Sequence, residues 1–137
     1  MNKKGAEIVG AKKTYKYSDQ ITHKLIRNDA YIYFKPTIWL TEKEIEVRGV
    51  KVIPDAFFRD NYGYKFLEID NEQRWLNNVK KFEEYSALKK TNAFQRKYGR
   101  FPTLVWVVKY KSRMKRLEEL AEKFDLKCEI YHHKEVL

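Results

Sequence analysis

Apolar residues recur along this chain at two different periods, and the switches between them divide it into elements. Over residues 20–34, Ile21, Leu25 and Ile32 fall at helical spacing with Asn28 and Asp29, which predicts a helix with its apolar face on a sheet. Ser18-Asp19 offers its N-cap and Pro36 its end. Residues 37–47 alternate as a strand with a polar middle, where Glu42 and Glu44 line either a site or an exposed edge. Residues 48–51 read as the turn into a hairpin. Its two runs, residues 52–60 and 65–70, are separated by Asn61-Tyr62-Gly63-Tyr64, with Gly63 able to supply a positive φ.

A second helix is expected from about residue 73 to residue 90, capped near Asn71, with Trp75, Leu76, Val79, Phe82, Tyr85 and Ser86 as its buried stripe. Residues 91–100 read as a loop or an irregular turn. Residues 103–108 form a continuous apolar run, the mark of a strand buried on both faces. A third helix, capped by Ser112, carries Met114, Leu117, Leu120, Ala121 and Phe124 at helical spacing. A last strand at residues 127–131 leads to His132-His133, read as a solvated tail. The predicted order is α-β-β-β-α-β-α-β in one α/β domain over residues 18–137. Residues 1–17, with Lys3, Lys4, Lys12, Lys13 and Lys16, read as a loosely ordered basic arm.

The hairpin carries the chemistry. Pairing of its strands sets Asp55 near Glu68 and Asp70, and carboxylates crowded in this way repel one another unless a hard cation neutralises them. A Mg²⁺ or Mn²⁺ site held by Asp55, Glu68 and Asp70 is therefore expected. Lys81 and Tyr85 stand one turn apart on the following helix and can point back at these carboxylates. On the first helix, His23 and Asp29 are the polar members of interest.

Composition narrows the partners. Lys and Arg outnumber Asp and Glu by 29 to 19, and a net charge of +10 favours a polyanion, nucleic acid ahead of membrane. Lys80, Lys89, Lys90, Arg96, Lys97 and Arg100 are candidate DNA contacts. Phe94, Tyr98 and Phe101, interleaved with the last three, serve either base stacking or core anchoring. The single Cys128 excludes an internal disulfide and a multi-cysteine zinc site, and fits a reducing cytoplasm. No apolar run has the length of a membrane span.

Taken together, His23, Trp39, Pro54-Asp55-Ala56, Phe66-Leu67-Glu68-Ile69-Asp70, and Lys81 followed by Tyr85 resemble the replication-relaxation family of plasmid and mobile-element proteins, within the PD-(D/E)XK nuclease-like superfamily. The resemblance covers roughly residues 20–110 and implies a restriction-endonuclease-like core with a mixed central sheet flanked by helices. It implies metal ligation by Asp55 and Glu68, helped by the Ile69 carbonyl, with Asp70 as a third or outer ligand. The first helix of nuclease-like folds often sends an acidic or polar side chain to the metal, and this likeness makes Asp29 a further candidate. Otherwise Asp29 is surface and His23 caps or packs. The superfamily pattern has Lys two residues after the Glu, where this chain has Asp70, so Lys81 or Lys80 takes over the role with Tyr85 in support. Two functions follow from the resemblance. One is a Mg²⁺- or Mn²⁺-dependent DNA phosphodiester hydrolase. The other is a non-catalytic DNA-binding accessory or regulatory factor of replication. Family members commonly carry a winged-helix segment ahead of this domain, which a chain of 137 residues does not accommodate. Sequence-specific recognition then calls for a homodimer or a replication-protein partner.

Overall fold

The computed structural model describes residues 11–71 and 74–137, with side chains from residue 20 onward. Helix α1 (Ala11–Phe34) is followed by strands β1 (Ile38–Thr41), β2 (Ile45–Val47), β3 (Val50–Val52), β4 (Ala56–Asp60) and β5 (Gly63–Asp70). Helices α2 (Trp75–Lys90) and α3 (Ala93–Tyr98), strand β6 (Thr103–Val108), helix α4 (Met114–Lys123) and strand β7 (Cys128–His132) complete it, with 3₁₀ turns at Lys111–Arg113 and His133–Val136. The protein is α/β, with a mixed five-stranded sheet ordered β1-β4-β5-β6-β7 and helices on both faces. The β1, β4 and β5 pairings are antiparallel, whereas β6 runs parallel to β5 and β7 to β6.

Side-chain alternation along the central strands builds two cores. On one face Phe58, Leu67, Ile69, Val105 and Val107 pack against Ile26 and Ala30 of α1. On the other, Phe57, Phe66, Leu104, Trp106 and Val108 meet Phe82, Tyr85 and Leu88 of α2, Phe94 of α3, and Leu117 and Ala121 of α4. The Phe82 and Trp106 rings lie parallel with centroids 5.3 Å apart. A stacked pair of this kind adds about 1 kcal/mol to the area it buries. Every residue of β6 is buried, as the unbroken apolar run predicts.

Several local expectations are corrected. Helix α1 begins at Ala11, so Ser18 and Asp19 lie inside it and residues 11–17 of the expected arm are helical; residues 1–10 lie outside the described residues. Its buried face is Ile26 and Ala30, while Ile21, Leu25 and Ile32 are exposed, because the true stripe is rotated one residue from the expected one. The helix ends as Pro36 requires, with Lys35 in the left-handed region at φ 48° donating its N–H to Tyr31 O.

The run 37–47 is two strands, broken where Glu42 takes φ 52°. Strands β2 and β3 form their own small hairpin on α2, turned by Arg48 and Gly49 at φ 51° and 82°. Two successive positive φ values are what a two-residue hairpin turn of the I′ type demands. At the next hairpin Gly63 supplies φ 123°, as expected, directly after the Asn61-Tyr62 turn.

Arg74, rather than Asn71, occupies the N-cap of α2, and Leu76 is exposed whereas Asn78 and Leu88 are buried. Residues 93–98 form α3 instead of a loop, and α4 starts after Arg113 with no side-chain cap from Ser112. The tail is not solvated. His132 is buried and its Nε2 lies 3.1 Å from Lys109 O, His133 Nε2 lies 2.8 Å from Asp29 Oδ2, and Val136 enters the α1-side core.

Candidate active site

Local backbone chemistry places Asp55. Pro54 has no N–H to add to a ladder, so pairing of β4 with β5 extends only to Asp55, whose N–H donates to Leu67 O at 3.0 Å. The Asp55 carbonyl accepts from the Glu42 N–H at the β1 break. Ala56 pairs with Leu67, so Asp55 stands one register step on, beside Glu68. Its carboxylate is held at both oxygens. Oδ2 accepts the Ile69 N–H at 2.7 Å, and Oδ1 is 3.1 Å from His23 Nε2 on α1.

Glu68 is buried in β5 against α2. Tyr85 donates its hydroxyl to Glu68 Oε2, and Lys81 Nζ stands 3.5 Å from the same oxygen while donating to Ile53 O at 2.6 Å. Burial, and next the negative charge of Asp55, push the Glu68 carboxyl up to about 8, against the opposing pull of Lys81 and Tyr85. Burial and the adjacent Glu68 also hold the Tyr85 phenol well above its ordinary value, so it remains a hydrogen-bond donor.

Asp70 belongs to a different arrangement. Arg113 Nη1 reaches both its oxygens, at 3.2 and 3.1 Å, and Asn78 Nδ2 donates to Oδ2 at 3.1 Å. Asp55 and Glu68 are thus brought together with Lys81, Tyr85 and His23, while Asp70 is paired with Arg113. Among the described residues no group of three or more His, Cys, Asp and Glu has metal-holding geometry, so the expected three-carboxylate cluster is not formed. Asp29 is taken by His133. Two carboxylates remain, and hard oxygen donors in that number suit Mg²⁺ or Mn²⁺ when water and phosphate oxygens supply the other positions. Burial first, and then the charge of Asp55, disfavours the Glu68 carboxylate, and a cation placed there would offset both.

The expected basic contacts divide in the same way. Lys51, Lys80 and Lys81, with Ile53, Asn77 and Glu84, line a cleft of about 350 Å³ beside Glu68. Lys89 reaches the Asp125 carbonyl at 2.5 Å, and Lys90 is exposed at the end of α2. Arg96 bonds Thr91 O, Arg100 bonds Tyr62 O, and Lys97 stands over the Tyr98 ring. Lys97 and Arg100 lie beside Tyr98, whose ring centroid is 4.3 Å from that of Tyr64 near the start of β5, whereas Glu68 lies toward its end. Phe94 and Tyr98 anchor the core.

Sequence reasoning missed Asn78 and Arg113. Asn78 shares a helical face with Phe82 and Tyr85, a signal that was there to find; Arg113 reaches Asp70 only through the β5–β6 pairing. Burial pushes the Cys128 thiol far above its ordinary value, so its surroundings disfavour the thiolate. Among the described residues no helix is long and apolar enough to cross a membrane.

The fold and this cluster define an α/β protein in which a buried glutamate, served by a lysine and a tyrosine from the adjoining helix, stands beside a partly exposed aspartate. Over residues 2–104, well over half of its length, the chain matches the replication-relaxation family and belongs to it. Neither the curated proteins nor the solved structures contain a match.

Proposed function

We propose that this protein is a DNA-associated factor of plasmid or mobile-element replication, with a PD-(D/E)XK-type site that hydrolyses phosphodiesters with Mg²⁺ or Mn²⁺. The observation that carries the reading is the placement of Lys81 at Glu68, 3.5 Å from Oε2. The superfamily pattern calls for an ammonium beside this carboxylate, and α2 delivers it where the strand carries Asp70 instead. Membership of the replication-relaxation family supports the biological setting, and the lone, free Cys128 fits a cytoplasmic one.

In this reading Asp55, Glu68 and the Ile69 carbonyl hold the ion. When bound, the ion supplies charge neutralisation at the scissile phosphate and a more acidic water. Lys81 places a positive charge where negative charge develops on the phosphate oxygens. Tyr85 and His23 fix the orientation of Glu68 and Asp55 by hydrogen bonding. Lys51 and Lys80, on the cleft wall, meet the neighbouring phosphates.

A second reading, a DNA-binding accessory factor without cleavage, draws on the Asp70–Arg113 pair. It fills the usual lysine position with a neutralised carboxylate.

A cleavage assay with Mn²⁺ on plasmid, linear and branched DNA separates the two, with Asp55→Ala and Glu68→Ala as controls. Cleavage by the wild type that both substitutions abolish is the expected result. Equal residual cleavage in all three proteins rejects the hydrolase and leaves the accessory factor, which must then show salt-sensitive binding in gel shifts at two salt concentrations.

A further inference from the structure

Between β6 and α4 the chain reads Lys109-Tyr110-Lys111-Ser112-Arg113-Met114-Lys115-Arg116, five cations in eight residues with no acidic residue before Glu118. The run lies beyond the residues matched to the family. It is fixed to the sheet at several points. The Lys109 N–H donates to Asp70 O at 3.0 Å, His132 Nε2 lies 3.1 Å from Lys109 O, and Arg113 grips the Asp70 carboxylate. Arg116 lies over the Trp75 ring with Cζ 3.9 Å from its centroid. The strand ends at Asp70 and Val108 thus carry a pre-ordered cationic ridge, at the end of β5 that also bears Glu68.

Lys111, Lys115 and Arg116 are exposed and form no ion pair among the described residues. A face serving only solubility would interleave both signs. Carried on an anchored backbone, these cations suit a ligand of closely and regularly spaced negative charge.

From this geometry we infer that residues 109–116 form a docking ridge for the phosphate backbone of duplex DNA, which presents the helix to the Asp55–Glu68 site. The inference rests on the DNA-associated reading given above and extends its contact surface to α4. Single-stranded DNA is the poorer match, because single-strand sites stack bases on open aromatic rings. Here Trp75 already carries Arg116, and Tyr110 has Lys109 Nζ 5.5 Å from its centroid. Contact through phosphates alone fixes position without reading sequence.

The test is a fluorescence-anisotropy titration of a labelled DNA duplex over a range of salt, with Lys111→Glu/Lys115→Glu and the milder Lys111→Gln/Lys115→Gln. A charge-matched control, Lys35→Glu/Lys127→Glu, alters exposed lysines at the opposite end of the sheet. Thermal melts establish that each variant folds. The ridge variants should bind at least tenfold more weakly, and the log–log salt slope of the Gln pair should fall by about two, close to one for each phosphate no longer neutralised. The control should stay within about threefold of wild type. Equal losses in ridge and control variants would reduce the effect to net charge and overturn the ridge. Tighter, ridge-dependent binding of single-stranded DNA or of an RNA duplex would overturn duplex DNA as the partner. Wild-type protein that binds no DNA at all removes the proposed function itself, whereas duplex binding untouched by the ridge substitutions removes only this inference.

Discussion

Lys81 and Glu68 meet across the boundary between a helix and a strand, Nζ 3.5 Å from Oε2, with Tyr85 on the same carboxylate one helical turn later. Asp70 holds the strand position that the superfamily pattern gives to lysine, so helix α2 is the only element bringing an ammonium to Glu68 among the described residues. Replacing Lys81 by Ala should leave the fold intact, since its side chain is partly exposed. Cleavage should fall by roughly 10²- to 10³-fold, the range for removing one charge-stabilising donor. Single-turnover cleavage with Mn²⁺, beside a thermal melt, measures both effects.

The raised Glu68 carboxyl makes stability depend on pH. Its folded value of about 8 lies above the ordinary 4.5, so between them the folded protein keeps a proton that the unfolded chain has lost. The stabilisation is whole below pH 4.5 and is lost as pH rises through 8, with a slope of at most about 1.4 kcal/mol per pH unit. Glu68→Gln has nothing to ionise there and should lack this component. Urea midpoints at pH 5, 7 and 9 should show wild type falling relative to the variant. At the proposed ion site Mn²⁺ would compete with the same proton, so its affinity should be stronger at pH 8.5 than at pH 6.5 by calorimetry.

Asp70 is almost fully buried, and Arg113 provides its ion pair. Arg113→Ala should destabilise the protein by about 3–5 kcal/mol, because a buried carboxylate is left without its counter-charge. Adding Asp70→Asn should recover much of the loss in a denaturant titration. If Asp70 acts structurally, Asp70→Asn alone should leave Mn²⁺ affinity within about threefold of wild type. A tenfold drop would return Asp70 to the ligand set.

His23 orients Asp55 from the opposite face of the sheet to Lys81. Both partners are partly exposed, so His23→Ala should cost less than about 1 kcal/mol of stability. Mn²⁺ affinity should fall about tenfold, as when a group orienting a metal-binding carboxylate is removed. Calorimetry with a parallel melt distinguishes this from general weakening.

The hairpin and its neighbours were legible because each rests on local rules. Gly63 set the turn, the unbroken run at residues 103–108 declared a strand buried on both faces, and Lys81 with Tyr85 followed from helical spacing. The run read as one strand over residues 52–60, by contrast, breaks at Pro54 and divides between β3 and β4. What could not be read depends on phase and on distant pairing. Ile21, Leu25 and Ile32 form a good helical stripe, yet the packed one is Ile26 and Ala30, since an aromatic-rich helix offers more than one apolar face. Alternation places Glu68 and Asp70 on the same side of β5, but which cation answers each is decided by α2 for one and by the segment after β6 for the other. The expected convergence of three carboxylates failed on that point.

The 3₁₀ turn at His133–Val136 clasps helix α1 through Asp29 and Val136, and α1 in turn carries the imidazole that steadies Asp55. Positions more than a hundred residues apart in sequence are therefore mechanically in series. Deleting residues 133–137, or crowding them with a fusion tag, would slacken a clamp whose far jaw is the Asp55 carboxylate, so a purification handle placed there could silence the protein without touching its chemistry.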